Sequence, residues 1–206
     1  MRAILLERGW TVPQRRRELE QHLGTMPHPE SDTSLSPRIR RLVDGMRTEW
    51  IELDRRTAAF DDEFAARART DPDARRLATI PGIGVLNATA LVAAISNGQT
   101  FARGRDLAAW LGLVPCQVTT GGKPRLAGIG KRGSKYLRKL LIHGARSALP
   151  IMATSVTPLG GWLRALLARV HKNVVVVSLA NKLARVAWVV LRRREEFSAV
   201  AATVAG

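Results

Sequence analysis

Residues 113–130 read LVPCQVTTGGKPRLAGIG, and they carry the hydroxyls with most scope for chemistry. Thr119 and Thr120 precede Gly121-Gly122, and Lys123 and Arg125 follow. A hydroxyl on a glycine-rich turn can approach a phosphodiester, and flanking cations can stabilise the charge that develops there. An ordinary polar turn has the same composition, so these residues alone leave both readings open. Ser134 is a second hydroxyl, but its place just before a helical pattern makes it an N-cap first. Other chemistries are poorly supplied. His22, His28, His143 and His171 are scattered, and no His/Cys/Asp/Glu group has metal-ligand spacing. Asp61, Asp62 and Glu63 are adjacent, so on a helix they point in different directions and read as a solvated face. From residue 101 onward, Asp106 is the only carboxylate before Glu195. A two-metal nuclease centre needs several carboxylates around its ions. No metal site and no cofactor are therefore expected in this chain.

The elements around these residues are distinguished by charge. The chain has 206 residues, 33 Lys+Arg against 17 Asp+Glu, and a net charge of +16. Residues 1–100 are nearly balanced, with 15 basic and 14 acidic residues, whereas residues 101–206 hold 18 basic and 3 acidic. A folded polycation repels itself unless a polyanion is near, which makes nucleic acid the expected partner.

Within the basic half, Lys131 and Arg132 precede KYLRKLLIHGARSAL. Leu137, Leu140, Leu141, Ala145 and Ala148 form one apolar stripe there. Lys135, Arg138, Lys139 and Arg146 fall off it, a pattern suited to a helix lying along a phosphate backbone. Arg103 and Arg105 open a short helix whose Leu107, Trp110 and Leu111 share a face, closed by Gly112. Residues 113–130 read as a loop or β-hairpin. Upstream, LATIPGIGVLNATAL places Pro81, Gly82, Ile83 and Gly84 in a tight turn between two helices, the pattern of a helix-hairpin-helix. Glycines there would let the backbone near a phosphate, with the N–H groups of the next helix pointing to it. Ile80 and Ile83 would anchor the turn, and Ala88 would keep the helices close.

The first third reads as two short helices, 2–8 and one begun by Thr11–Pro13, then a polar, Pro-rich linker at 24–36. Ser36-Pro37 opens a long helix whose Ile39, Val43, Met46, Trp50, Leu53, Phe60 and Phe64 keep heptad spacing. That seam suits a coiled-coil arm for a homo-oligomer, or an amphipathic helix packed on its own domain. At the other end, Gly160-Gly161 separates a short helix from Trp162 to Val170, and a longer one follows from Val174. The apolar run Val174–Leu191 is interrupted by Asn181, Lys182 and Arg185, so it reads as a buried helix and not a membrane span. The expected divisions are short helices and linker at 1–35, a helical arm at 36–72, a basic domain at 73–197 and a flexible tail at 198–206. The fold class is mainly α: a long helical arm, then a helical domain with a small hairpin or loop insert.

Composition closes other classes. With 46% hydrophobic residues the chain can build a core, so extended disorder is excluded. Cys116 is the only cysteine, which rules out a disulfide framework and suits a reducing cytoplasm. The N-terminus lacks the long apolar run of a signal peptide.

Three segments together carry a resemblance: LATIPGIGVLNATALVAAI, then LAAWLGLVPCQVTTGGKPRLAGIGKRGSKYLRKLLIHGARSAL, then NKLARVAWVVL. In content, order and spacing they resemble the C-terminal half of the IS-one-ten and IS-eleven-eleven insertion-sequence transposases, over roughly residues 77–197. The balanced region before them resembles that family's coiled-coil connector. The resemblance implies a RuvC-like N-terminal domain with an Asp-Glu-Asp-Asp site for divalent metal (Mg). It also implies a C-terminal domain whose serine attacks DNA, an element-encoded bridge RNA that guides it, and action as an oligomer. This chain departs from the pattern twice. It begins just inside the connector, so the metal-binding domain is expected to be missing. The family's serine lies just before the Gly-Gly pair, and here that position falls on Thr119, or less directly on Thr120. Threonine keeps the hydroxyl but adds a β-methyl that narrows its rotamers and crowds an in-line attack. The expectation is a DNA-binding, nucleophile-bearing part of a transposase, truncated and inactive alone. The alternative is a non-catalytic nucleic-acid-binding module that regulates or competes with a full-length enzyme.

Overall fold

The computed structural model describes residues 1–25 and 35–198. The linker expected at 24–36 lies mostly outside the described residues, as does the tail expected at 198–206. The chain divides into two compact units, Met1–Phe60 and Asp61–Gly206.

In the first unit, α1 (Arg2–Leu6) and α2 (Arg16–Gly24) precede α3 (Pro37–Thr70), and the unit boundary falls inside α3. The α2 helix starts three residues later than Pro13 suggests. The Arg2 guanidinium donates to the carbonyls of Pro13 and Arg15, which holds that stretch non-helical. Ser36 caps α3, its Oγ accepting from Ile39 N at 3.4 Å, with Pro37 at the first position as read. Half of the heptad seam is accounted for within this unit. Val43 is buried, and Ile39, Met46 and Trp50 pack with it on Leu5, Leu19, Leu23 and Leu35. Further along, Leu53 and Phe60 are 51% and 55% exposed. The aromatic Trp50 suits this mixed packing, and Arg16 sits over its ring at 5.0 Å.

The second unit contains the end of α3, then α4 (Pro72–Ala78), α5 (Val85–Ile95) and α6 (Gly104–Trp110). A two-stranded ribbon follows, β1 (Pro115–Thr120) and β2 (Lys123–Ile129), and then α7 (Lys135–Thr154), α8 (Pro158–Leu167) and α9 (Lys172–Arg193). Asp71 caps α4 by accepting from the N–H groups of Asp73 and Ala74. The α9 helix is the organising element and packs on α4, α6, α7 and α8. By length and composition alone it could cross a membrane. Here Val175, Val176, Leu179, Leu183, Ala187 and Leu191 are buried in the unit, so it is a core helix. Asn181, the polar interruption, donates from Nδ2 to Leu113 O at 3.1 Å.

Two boundaries and one helix face in this unit differ from what the sequence suggests. The α7 helix runs on through Pro150 to Thr154, because Leu149 and Met152 are buried and hold the last turn in place. The Gly160-Gly161 pair does not separate helices. It lies in the first turn of α8, which begins at Pro158 with Thr157 as cap. A Cβ at Gly160 would fall 2.3 Å from Ser155 O, so glycine lets this turn close on the end of α7. Trp110 does not share the buried face of Leu107 and Leu111. It is 41% exposed and tilted against Phe101, with ring centroids 5.6 Å apart.

Candidate nucleic-acid interface

The hairpin reading of residues 115–129 holds, and its register sets the geometry of the hydroxyls. Gly121 and Gly122 have φ of +57° and +76°, the backbone of a two-residue type I′ turn. Thr120 pairs with Lys123, Thr119 with Pro124, and Val118 with Arg125. Side chains alternate along a strand. Thr119 is therefore out of phase with Lys123 and Arg125 and lies on the opposite face of the ribbon. The sequence places these groups together, but the pleat separates the Thr119 hydroxyl from both cations. Thr119 is exposed.

The corner at 80–84 forms where it was read, between α4 and α5, with Ile80 and Ile83 in the core. Its glycines divide between two tasks. Gly82 has φ of +91°, and a Cβ there would meet Gly144 O of α7 at 2.8 Å. A Cβ at Gly144 would in turn fall 1.9 Å from Gly82 O. Asn87 Nδ2 bridges the Gly82 and Leu140 carbonyls at 3.3 and 3.2 Å. Gly82 allows backbone contact with α7, and Ile83 is a core side chain. Ile83, buried and with its N–H donating to Ile80 O, is thereby corrected as a phosphate contact, whereas Gly82 is half-buried and keeps that expectation through its backbone. Pro81 and Gly84 remain exposed, with Gly84 as the N-cap of α5.

The basic face of α7 is also resolved into outward and inward parts. Ser134 caps the helix, its Oγ accepting from Leu137 N at 3.3 Å. Lys131, Arg132, Lys135 and Lys139 are exposed, and His143 and Arg146 continue the Lys135–Lys139 stripe at helical spacing. Arg138 does not belong with them. It is only 7% exposed, and its Nη1 donates to Leu111 O at 2.9 Å and Arg132 O at 3.1 Å. It stands one position past buried Leu137, on the flank of the apolar stripe, and its guanidinium satisfies loop carbonyls that would otherwise lack donors. The expected phosphate contact at Arg138 is thus corrected to an internal tie. The loop it holds is close-packed. A Cβ at Gly112 would lie 2.1 Å from Arg132 O, and one at Gly133 would lie 1.8 Å from Trp110 O. Lys131, at φ +54°, is presented outward from this loop.

Arg103 and Arg105 are exposed at the start of α6, with Asp106 Oδ2 accepting from Arg103 N at 2.9 Å. Gly104 between them packs on the backbone of α9 at Arg185, where a Cβ would be 3.1 Å from Arg185 O. Lys182 and Arg185 were missed as site residues, because in sequence they only interrupt an apolar run. The signal was their helical spacing with Val174, Ser178 and Asn181, which places a mixed polar stripe on one face of α9. That stripe lines a groove of about 740 Å³ beside Pro115, Ala127–Ile129 and Trp162. The Lys182 Nζ lies over the Trp162 ring, 5.6 Å from its centroid. Burial, and then repulsion from Arg185, hold its ammonium below the usual lysine range. Among the described residues no group of three or more His, Cys, Asp or Glu could hold a metal ion. Every ion pair among them lies before residue 77, so the cations from 101 onward have no carboxylate partner there.

Residues 74–156, from α4 to the end of α7, match the family model described as Transposase IS116/IS110/IS902 family. The chain is 40% identical over 198 residues to a probable family 20 transposase of Pseudomonas aeruginosa, covering 94% of this chain and 57% of that protein. It is 36% identical over 197 residues to the transposase for insertion sequence element IS1111A of Coxiella burnetii, covering 96% and 54%. It is 38% identical over 198 residues to the transposase for insertion sequence element IS1328 of Yersinia enterocolitica, covering 96% and 58%. The chain spans just over half the length of these relatives.

Proposed function

Because the chain belongs to the IS116/IS110/IS902 family of transposases, we propose that it serves DNA transposition as the nucleic-acid-handling part of such an enzyme. The observation that carries this reading is the excess of cations from residue 101 onward, all but Arg138, Lys182 and Arg185 exposed, and none with a carboxylate partner among the described residues. Lys131, Arg132, Lys135 and Lys139 form one ridge at the start of α7, with Lys123 and Arg125 on the ribbon and Arg103 and Arg105 at the start of α6. Contacts of this kind hold a phosphate backbone without reading its sequence.

Thr119 stands where the family resemblance puts the nucleophilic serine. Its β-methyl, its separation from Lys123 and Arg125 across the ribbon, and the lack of a carboxylate cluster among the described residues support one further reading. The 206-residue chain alone performs little or no strand transfer. Recovery of a covalent protein–DNA adduct from the purified chain would overturn it. An element-encoded guide RNA is a second polyanion for the same ridge. A second copy would pair through the exposed part of the α3 seam at Leu53 and Phe60, and a Phe60→Glu variant that sediments like the parent chain would refute that.

Binding is tested by gel shift at several salt concentrations. Affinity is expected to fall steeply as salt rises, with a slope of about 0.9 per phosphate contact on duplex DNA. Replacing Lys131, Arg132, Lys135 and Lys139 with Ala should weaken binding to all sequences alike. A flat salt dependence, or an unchanged affinity in that variant, would sink the reading.

A further inference from the structure

The groove beside α9 has a chemistry that phosphate binding to an open ridge does not need. Its floor carries two cations one helical turn apart, Lys182 and Arg185, and no carboxylate appears in its lining. Like charges this close on a helix repel each other, and partial burial of Lys182 adds to the cost. Such a pair is best accommodated when an anion sits between them. The walls are largely apolar: Trp162, Val174, Val177 and Ile129. Ser178 and Asn181 add hydroxyl and amide groups. Asn181 is oriented by its bond to Leu113 O, which leaves its Oδ1 as an acceptor.

We propose that this groove binds one unpaired nucleotide of a nucleic acid, with Lys182 and Arg185 on its phosphate and Trp162, Val174 and Val177 against its base. The inference rests on the nucleic-acid reading above and assigns a place and a strand state to it. A duplex keeps its base faces stacked and offers a protein only phosphates and groove edges, so an apolar wall would gain nothing from it. An unpaired base exposes a flat apolar face, and single strands are held by aromatic stacking beside cations. The volume, about 740 Å³, lies within the range of small-molecule pockets, about 300–1,000 Å³. The Lys182 ammonium lies over the Trp162 ring. A bound phosphate draws it toward Arg185 and frees the ring face for the base. Gly104 packs on the Arg185 backbone, and its chain neighbours Arg103 and Arg105 are exposed. The phosphates flanking the bound nucleotide therefore continue onto the cations already assigned.

The test uses the full chain, a short single-stranded oligonucleotide and a fully paired duplex of the same sequence. Trp162→Ala should weaken single-strand binding by about 5- to 150-fold, the usual worth of one stacked base. It should leave duplex affinity within about two-fold. Lys182→Met with Arg185→Met should show the same selectivity, and Lys182→Arg should restore single-strand binding. Lys135→Ala with Lys139→Ala should weaken both ligands. In the unaltered chain, irradiation of an oligonucleotide containing 5-bromodeoxyuridine should place the adduct on Trp162 or on residues 173–185. This readout does not depend on any variant folding. Equal losses on both ligands, no loss on either, or adducts found only elsewhere would overturn the pocket while leaving the basic ridge in place. Protection of the groove by an acidic peptide as effectively as by the oligonucleotide would overturn it too, in favour of a protein partner. Failure of the unaltered chain to bind either nucleic acid would remove the underlying function instead.

Discussion

Arg138→Met separates an internal tie from a phosphate contact at a position where sequence patterning predicts the contact. Methionine keeps most of the arginine stem, so packing along the flank of α7 is largely preserved. What is lost is the guanidinium, whose Nη1 donates to Leu111 O at 2.9 Å and Arg132 O at 3.1 Å. Hydrogen bonds from charged groups contribute about 1.5–3 kcal/mol each, and carbonyls left without a donor add to the loss. The two bonds share one nitrogen and are not additive, so the expected cost is about 2–4 kcal/mol. For a domain of this size each kcal/mol lowers Tm by about 2–4 °C, giving a drop of about 5–15 °C. Thermal and urea unfolding of Arg138→Met would be compared with Lys139→Ala, an exposed neighbour expected to stay within about 0.5 kcal/mol of the parent. Gel shifts below the variant's Tm complete the comparison. Arg138→Met should keep the parent's salt slope, and Lys139→Ala should lose about one unit of it. An Arg138→Met protein with an unchanged Tm and a shallower salt slope would refute the burial argument and restore Arg138 to the interface.

Three more outcomes follow from the same geometry. Gly144→Ala puts a Cβ 1.9 Å from Gly82 O; the corner must shift from α7 and loosen the Asn87 bridge, and unfolding should show a loss of about 2–4 kcal/mol. Gly121→Asn suits the first central position of a type I′ turn and should stabilise the ribbon by a few tenths of a kcal/mol, seen as a small rise in Tm, while Gly122→Val should broaden the amide signals of 115–129. Lys182 titrates below its ordinary value because of burial and then Arg185. In the linkage this lysine is charged in both states at low pH, with its burial penalty fully present. As pH rises through the folded pKa toward 10.5, the native state loses that proton first. Stability without ligand should therefore increase across that window, and urea midpoints of Lys182→Met should lack the increase.

Much of the fold was legible because local rules and tertiary packing agree. Ser36-Pro37 and Ser134 start helices where cap chemistry says they should. The Gly121-Gly122 pair makes the tight turn its dihedral freedom allows. Pro13 and Gly160 misled the boundaries for one common reason. Each local signal was outweighed by a partner distant in sequence or across a turn: the Arg2 guanidinium and the Ser155 carbonyl. The heptad seam was legible as an apolar stripe, but periodicity does not say what covers it. Its first half is covered by α1 and α2.

For the candidate site, the sequence alone determined composition and segregation: a cationic region from residue 101, two threonines before a glycine pair, and one carboxylate, Asp106, between residue 101 and Glu195. Those are properties of a string, and folding cannot alter them. Orientation was decided only by tertiary structure, since a side chain's use depends on what occupies the space around it. Arg138 turns inward because two loop carbonyls need a donor, whereas Lys139, one residue on, faces outward. Thr119 is parted from Lys123 and Arg125 by the pleat of a paired strand. Lys182 and Arg185 become a candidate site only because a ribbon and a tryptophan from other parts of the chain wall them in.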